Sequence, residues 1–211
     1  MNKKAFQTRI VVAIIFGVLI IDQIVKIWIK THLSYGEEFL ILGQEWARIH
    51  FVENEGMAFG LSFGGAWGKL ILSLFRVGAA IFLIYLIRSL IKIGERTGLL
   101  VSIALIFAGA VGNIIDSIFY GLIFSASTYH GDPAVLFPEG GGYGSVLMGK
   151  VVDMFYFPMI DTTWPEWLPF IGGDRFEFFR PVFNVADSAI TVGVFLLLLF
   201  YRDFFKSKKE K

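Results

Sequence analysis

Residues 181–190 read PVFNVADSAI and open the last hydrophobic stretch, which runs on as TVGVFLLLLF to residue 200. Asp187 stands where the sequence turns apolar enough to enter a bilayer, with Asn184, Ser188 and Thr191 as its only polar company. A carboxylate at a bilayer boundary costs on the order of a few kcal/mol, so its presence marks a functional site by default. Three other polar intrusions share that character: Asp22, the pair Asn113 and Asp116, and Asp153. The remainder of the chain can be understood as a scaffold that brings these groups together.

Composition sets the class. The chain has 211 residues, 55% of them hydrophobic and 18% charged, with a mean hydropathy of +0.66. That is too apolar for an ordinary soluble domain and fits one integral membrane domain. The absence of cysteine excludes disulfide scaffolds, cysteine nucleophiles and thiolate metal sites. His32, His50 and His130 are scattered with no HExxH-like spacing, so neither a metal nor a cofactor is expected. No basic patch interleaves with aromatics, so no nucleic-acid partner is expected.

Outward from residue 181, hydropathy marks four spans, at 10–29, 70–88, 98–118 and 184–202. The first follows a short basic stretch (Lys3, Lys4, Arg9) and so resembles the n- and h-regions of a signal peptide. Its apolar run continues past Asp22 through Ile24, Val25, Ile27 and Trp28 with no small-residue cleavage site, so a retained helix is expected. The second span is interrupted by Arg76, and the sequence does not decide between a buried partner and a lipid headgroup for it. Lysine and arginine concentrate in the N-terminal tail, the 88–97 link and the C-terminal tail, which places both termini in the cytoplasm. Segments 31–68 and 122–182 fall on the other side and carry 12 acidic residues against four basic ones.

Those two segments are more than loops. Residues 39–54 partly alternate apolar and polar side chains, a period of two, and 150–157 is a second strand candidate. Glycines at 56, 60, 64 and 65 and the run 140–144 break the pattern. Tryptophans at 28, 46, 67, 164 and 167 fall near or outside the span ends, as interfacial aromatics do. The expected fold is an integral membrane, mainly α, four-transmembrane-helix bundle with a small extracytoplasmic β element and an aromatic extracytoplasmic insert.

Asp153, in VVDMFYFP, and Asp187 are both predicted at the outer boundary. Two converging carboxylates suit acid–base hydrolysis, because like charges at close range cannot both ionise cheaply and their pKa values separate. The bland alternative is that Asp187 caps a helix and Asp153 ends a strand. Asn113 and Asp116, spaced i, i+3, share one helix face and serve either the pair or interhelical hydrogen bonding. Asp22 and Lys26, spaced i, i+4, suit a structural ion pair. Asn54 in NEGMAFG sits where the chain turns back toward the membrane. Ser145 and Lys150 offer a Ser–Lys alternative in a turn-like, glycine-rich setting.

Taken together, IDQIVK (21–26), NEGMAFG (54–60), GNIIDS (112–117), VVDMF (151–155) and FNVADSAI (183–190) resemble, in order, the motifs of the bacterial lipoprotein signal peptidases, or signal peptidase II. The resemblance implies an aspartyl endopeptidase of the cytoplasmic membrane. It would be multi-pass and monomeric, with membrane lipids around it and its site toward the extracytoplasmic face. Its substrate would be a diacylglyceryl-modified prolipoprotein, cut before the lipid-modified cysteine. Asp153 and Asp187 would be the catalytic pair; Asn54, Asn113, Asp116 and Asn184 would bind substrate or support the pair; Asp22 and Lys26 would support the structure. The β element would be the family's substrate cradle. One departure stands out: many members carry arginine where Ser117 stands, so that residue's role is either absent here or supplied elsewhere, by Arg175 or Arg180. The external segments are also longer than in compact members. A proton-relay transporter, or a chaperone that binds signal peptides without cutting, would instead tolerate loss of Asp153 and Asp187.

Overall fold

The computed structural model describes residues 2–55, 65–129, 131–178 and 180–205. Helix α1 (Lys3–His32) leads into a hairpin of β1 (Glu38–Ile41) and β2 (Gln44–Asn54). Helices α2 (Gly65–Ile93) and α3 (Thr97–Ile115) follow. A π-helical turn (Asp116–Tyr120) and α4 (Gly121–Ile123) continue α3 without a break. Strands β3 (Val151–Tyr156), β4 (Ile160–Thr163), β5 (Arg175–Phe178) and β6 (Val182–Phe183) then precede α5 (Val185–Phe200) and a closing 3-10 turn, Arg202–Phe205.

Among the described residues three helical stretches, Lys3–His32, Trp67–Ile93 and Thr97–Ile123, are long and apolar enough to cross a membrane. The expected fourth, at 184–202, is an apolar helix of 16 residues. At about 1.5 Å per residue it is shorter than a hydrocarbon core of about 30 Å. The other helices run past their hydropathy limits, because apolarity marks only the lipid-facing part and the hydrogen-bonded helix continues through polar ends. Asn2, for example, caps α1 through its side chain, which accepts from the backbone N–H of Lys4.

The bundle is inside out relative to a soluble protein. On α1, Ile20, Ile21 and Ile24 are more than half exposed while Asp22 and Lys26 are fully buried. Exposed apolar side chains continue along α2 and α5, at Ile71, Phe75, Phe82, Phe195 and Leu199. Such a continuous apolar exterior suits lipid rather than water. Close packing is concentrated where α5 meets α3. At Gly109 an added Cβ would lie 2.2 Å from the carbonyl oxygen of Ala186, so only glycine permits that approach.

The two ends differ. At one end the α1 terminus meets the α2–α3 turn, through Lys3 Nζ to the Gly94 carbonyl (2.7 Å) and Gln7 Nε2 to that of Glu95 (2.7 Å). Arg96 and Asp203 form an exposed ion pair there. At the other end lies a four-stranded antiparallel sheet of order β1-β2-β3-β6. Its core includes Ile29, Leu33, Phe51, Tyr120, Phe124, Ala134, Val152 and Met154. The expected insert divides in two. Phe124 and Ala134 are buried in that core, so the 124–150 stretch packs against it, whereas β4 and β5 form a separate two-stranded ribbon.

Candidate active site

Strand β3 is apolar and buried, and Asp153 in its middle is only 2% exposed. A carboxylate so placed must be hydrogen-bonded or protonated. On one side β3 pairs with β2, Val52 lying opposite Asp153 and Asn54 opposite Val151. Side chains alternate along a strand, so Asn54 and Asp153 share one face as diagonal neighbours. Asn54 Nδ2 donates to Asp153 Oδ2. On its other side β3 pairs with β6, which ends immediately before Asn184, the N-cap of α5. The sheet thus delivers Asp153 and the start of α5 to the same place.

There Asn184 and Asp187 form a reciprocal capping box. Asp187 N–H donates to Asn184 Oδ1 (2.9 Å), and Asn184 N–H donates to Asp187 Oδ2 (3.3 Å). The role of Asn184 Oδ1 as cap acceptor aims its Nδ2 inward, where it donates to Asp153 Oδ1 (2.7 Å) and Asn113 Oδ1 (3.1 Å). Asn113 Nδ2 donates to Asp187 Oδ1 at 2.8 Å. Asn184 and Asn113 therefore join the two carboxyls into one hydrogen-bonded unit.

Beneath this unit lies a charged one. Lys26 Nζ is 2.9 Å from both Asp22 Oδ2 and Asp116 Oδ2, all three side chains being fully buried. The ammonium also donates to Asn113 Oδ1 (2.9 Å), which fixes the orientation of that amide. Asp22 Oδ1 accepts the backbone N–H of Ala186 (2.8 Å), so the pair also holds the start of α5 in place. Asp116 Oδ2 accepts that of Val152 at 3.3 Å, which ties the cluster to β3.

Burial pushes the Asp153 carboxyl well above the usual carboxylate range, and the neighbouring charge of Asp187 pushes it the same way. Lys26 and the hydrogen bond from Asn184 pull partly back. Asp187 is half-buried and so more open to water than Asp153. One carboxyl that holds its proton more tightly than usual beside one with access to water is a pair suited to acid–base work.

The structure brings Asp22, Lys26, Asn54, Asn113, Asp116, Asp153, Asn184 and Asp187 into one continuous network. Asp187 is the N3 partner in the capping box that Asn184 makes at the start of α5, so a capping role accounts for part of its setting. The i, i+3 pair on α3 divides: Asn113 reaches Asp187, whereas Asp116 joins the ion pair already expected between Asp22 and Lys26. Beyond Glu55, the remainder of NEGMAFG lies outside the described residues. Ser145 is exposed in a turn closed by Met148 N–H on its carbonyl (3.0 Å), a structural rather than a nucleophilic setting. Ser117 is buried, its Oγ donating to the Asn113 carbonyl (3.0 Å). Arg175 and Arg180 are exposed at the ribbon side.

Two groups were missed from sequence. Gln23 donates to Asp22 Oδ2 (3.1 Å) and Asp116 Oδ1 (3.0 Å) and accepts from Tyr120 Oη (3.1 Å). Its signal was a second polar residue beside Asp22 in an apolar run. Lys30 pairs with Glu53 in the interior and lies 5.4 Å and 5.1 Å from the ring centroids of Phe124 and Tyr143. Nothing local in the sequence announces that pairing across the fold.

The family model described as Signal peptidase (SPase) II matches residues 14–202. A lipoprotein signal peptidase of Porphyromonas gingivalis (strain W83) is 53% identical over 196 residues, covering 92% of this chain and 84% of the relative. One from Amoebophilus asiaticus (strain 5a2) is 35% identical over 184 residues, covering 86% and 72%. Among solved structures, a bacterial membrane enzyme determined by the in meso method at 1.9 Å is 26% identical. It covers 93% of each chain with a TM-score of 0.58. These matches and the apolar helices identify a multi-pass membrane protein, and the chain belongs to the signal peptidase II family of lipoprotein signal peptidases.

Proposed function

We propose that this protein is an aspartyl endopeptidase that removes the signal peptide from diacylglyceryl-modified prolipoproteins, cutting before the lipid-modified cysteine. The observation that carries the reading is the pairing of Asp153 and Asp187 through Asn184 and Asn113, with one carboxyl buried and the other half-exposed. In the proposed fold α5 crosses the membrane as the fourth helix of the bundle. Its N-terminus and the sheet face the extracytoplasmic side of the cytoplasmic membrane, and the basic ends face the cytoplasm. A monomer suffices, because every group of the pair comes from one chain.

In this mechanism Asp187, at a helix N-terminus whose dipole favours an anion, is the base. It takes a proton from water as the water oxygen adds to the carbonyl carbon preceding the cysteine. Asp153 gives its proton to the carbonyl oxygen, which yields a neutral diol. The diol collapses as its hydroxyl returns a proton to Asp153, Asp187 protonates the amide nitrogen, and the C–N bond breaks. The products are the signal peptide's new carboxyl group and the free amine of the lipid-modified cysteine. Asn54, Asn113 and Asn184 hold the carboxyls in register; Asp116, Asp22 and Lys26 hold the elements that carry them. The sheet supports the extended peptide, and the diacylglyceryl group stays among the membrane lipids.

The test is cleavage of a diacylglyceryl-modified prolipoprotein by wild type, Asp153→Asn and Asp187→Asn. Both variants should bind substrate and lose at least about 1,000-fold in rate, since asparagine keeps the shape without the proton. Cleavage by either variant near the wild-type rate would overturn the dyad.

A further inference from the structure

Arg76 is a charged side chain within an apolar helix, and the mechanism above leaves it unused. Two neighbours on α2 fix the direction of its face. Lys69 Nζ donates to the Met148 carbonyl (2.8 Å) and Ser73 Oγ to the Leu147 carbonyl (3.3 Å). Residue 76 follows Ser73 by three and Lys69 by seven, so it lies on the same stripe, about 4.5 Å further along the axis from Ser73. The loop that receives this stripe is laid directly on α3. Gly149 N–H donates to the Ser117 carbonyl (2.9 Å), and a Cβ at Gly149 would lie 2.0 Å from the Asp116 carbonyl oxygen. The stripe therefore turns Arg76 toward the site and away from lipid.

The charges around it make a pattern. Lys26 is bound between Asp22 and Asp116; it is hydrogen-bonded to the pair's network through the Asn113 amide and acts on Asp153 by charge from a distance. Lys69, nearer the start of α2, faces Glu55, Lys150 and Glu53. Arg76 is half-buried, and the carboxylates within electrostatic reach of its guanidinium are Asp187 first, then Asp153 and Asp116. An arginine inside an apolar helix is expensive unless it answers a buried negative charge.

We propose that Arg76 is the positioning cation of the reacting pair, reaching across from α2 to stabilise its ionised member so that the pair holds a single proton at working pH. The inference rests on the dyad reading and adds to it a residue on an element that contributes no other group to the network. The cation then approaches from α2, since residue 117 beside Asp116 is a buried serine whose hydroxyl is spent on the Asn113 carbonyl.

The sequence has no cysteine, so Arg76→Cys creates a unique thiol in the full-length enzyme. Aminoethyl methanethiosulfonate then restores a positive charge, and methyl methanethiosulfonate adds a neutral group of modest size. Both adducts are made on one folded preparation, so the comparison does not depend on the variant's stability. Without the cation both carboxyls become harder to ionise, so the bell-shaped pH–rate profile should move upward by about one unit. The rate at neutral pH should fall at least about tenfold, in kcat more than in KM. The ammonium adduct should recover most of the rate and return the profile, and the methyl adduct should do neither. Equal rates and profiles for the two adducts would overturn the proposal. Asp153→Asn and Asp187→Asn run alongside separate the two readings. If they are inactive while the Arg76 series is flat, the dyad stands and only the role of Arg76 falls. If they still cut, both fall.

Discussion

Two pairs of aspartates lie within one network, and their partners set them apart. Asp22 and Asp116 are fully buried around the ammonium of Lys26. Asp153 is almost equally buried but takes its hydrogen bonds from the amides of Asn54 and Asn184. Asp187 takes its bonds from Asn113 and from the backbone of Asn184. A cation in direct contact fixes the charge of a carboxylate; an amide in contact orients it and leaves its proton free to exchange, even where a more distant cation biases the pair. The same residue type therefore ties helices together in one layer and, on the proposed reading, is kept available for chemistry in the next. Asn113 touches both layers, accepting from Lys26 and donating to Asp187, so the fixed charge orients the reactive one.

The sharpest way to break the comparison is Lys26→Met. It leaves two buried carboxylates without their cation, and a change of that kind destabilises by about 3–5 kcal/mol. Thermal unfolding of the purified protein should show a large loss, recovered in part by adding Asp22→Asn and Asp116→Asn. A melting temperature within a degree or two of wild type would mean that the inner layer is not held by charge.

Asn184→Ala comes next and acts on the reactive layer. It deletes the donors to Asp153 and Asn113 and the acceptor for the Asp187 N–H. Loss of the cap alone should cost about 1 kcal/mol of stability. Cleavage should fall about 100-fold, because the carboxyls lose their common orienting group. A variant that melts lower but cuts at the wild-type rate would reduce Asn184 to a cap.

Both layers were largely legible in the sequence, for physical reasons. Polar side chains in lipid-soluble stretches are too costly to be incidental, so Asp22, Asn113, Asp116 and Asp187 stood out from hydropathy alone. Asp153 stood out for the same reason in an apolar strand. The i, i+4 spacing gave the Asp22–Lys26 pair. Its extension to Asp116 depends on α1 lying against α3, which no local spacing encodes. The strands were legible from alternation, but the Asn54–Asp153 contact depends on a register set across the fold, Val52 opposite Asp153. The fourth apolar helix begins at Val185, set by the Asn184 cap directly after β6, and stops at Phe200, two residues short of the expected 202. Arg76 was visible as an intrusion, yet its direction required the two hydrogen bonds from its own helix to the 147–148 backbone.

The smallest expected effect separates the layers most cleanly, through the same substitution made once in each. Folding raises the Asp153 carboxyl above its unfolded value of about 3.9, chiefly by burial. Between that value and the raised one, the folded state binds more protons than the unfolded state. Stability therefore falls as pH rises through the window. Asp153→Asn removes the titration, so its melting temperature should gain on wild type as pH rises from about 4, by a few degrees in all. The change with pH is the signal, because one of the two amides must turn to meet the new Nδ2 and adds a constant offset. Asp116→Asn should do the opposite at neutral pH, lowering the melting temperature by removing an anion that Lys26 requires. If both variants shift in the same direction with the same pH dependence, the two layers are not electrostatically distinct. Amide partners would then be no sign of a carboxyl kept free to react.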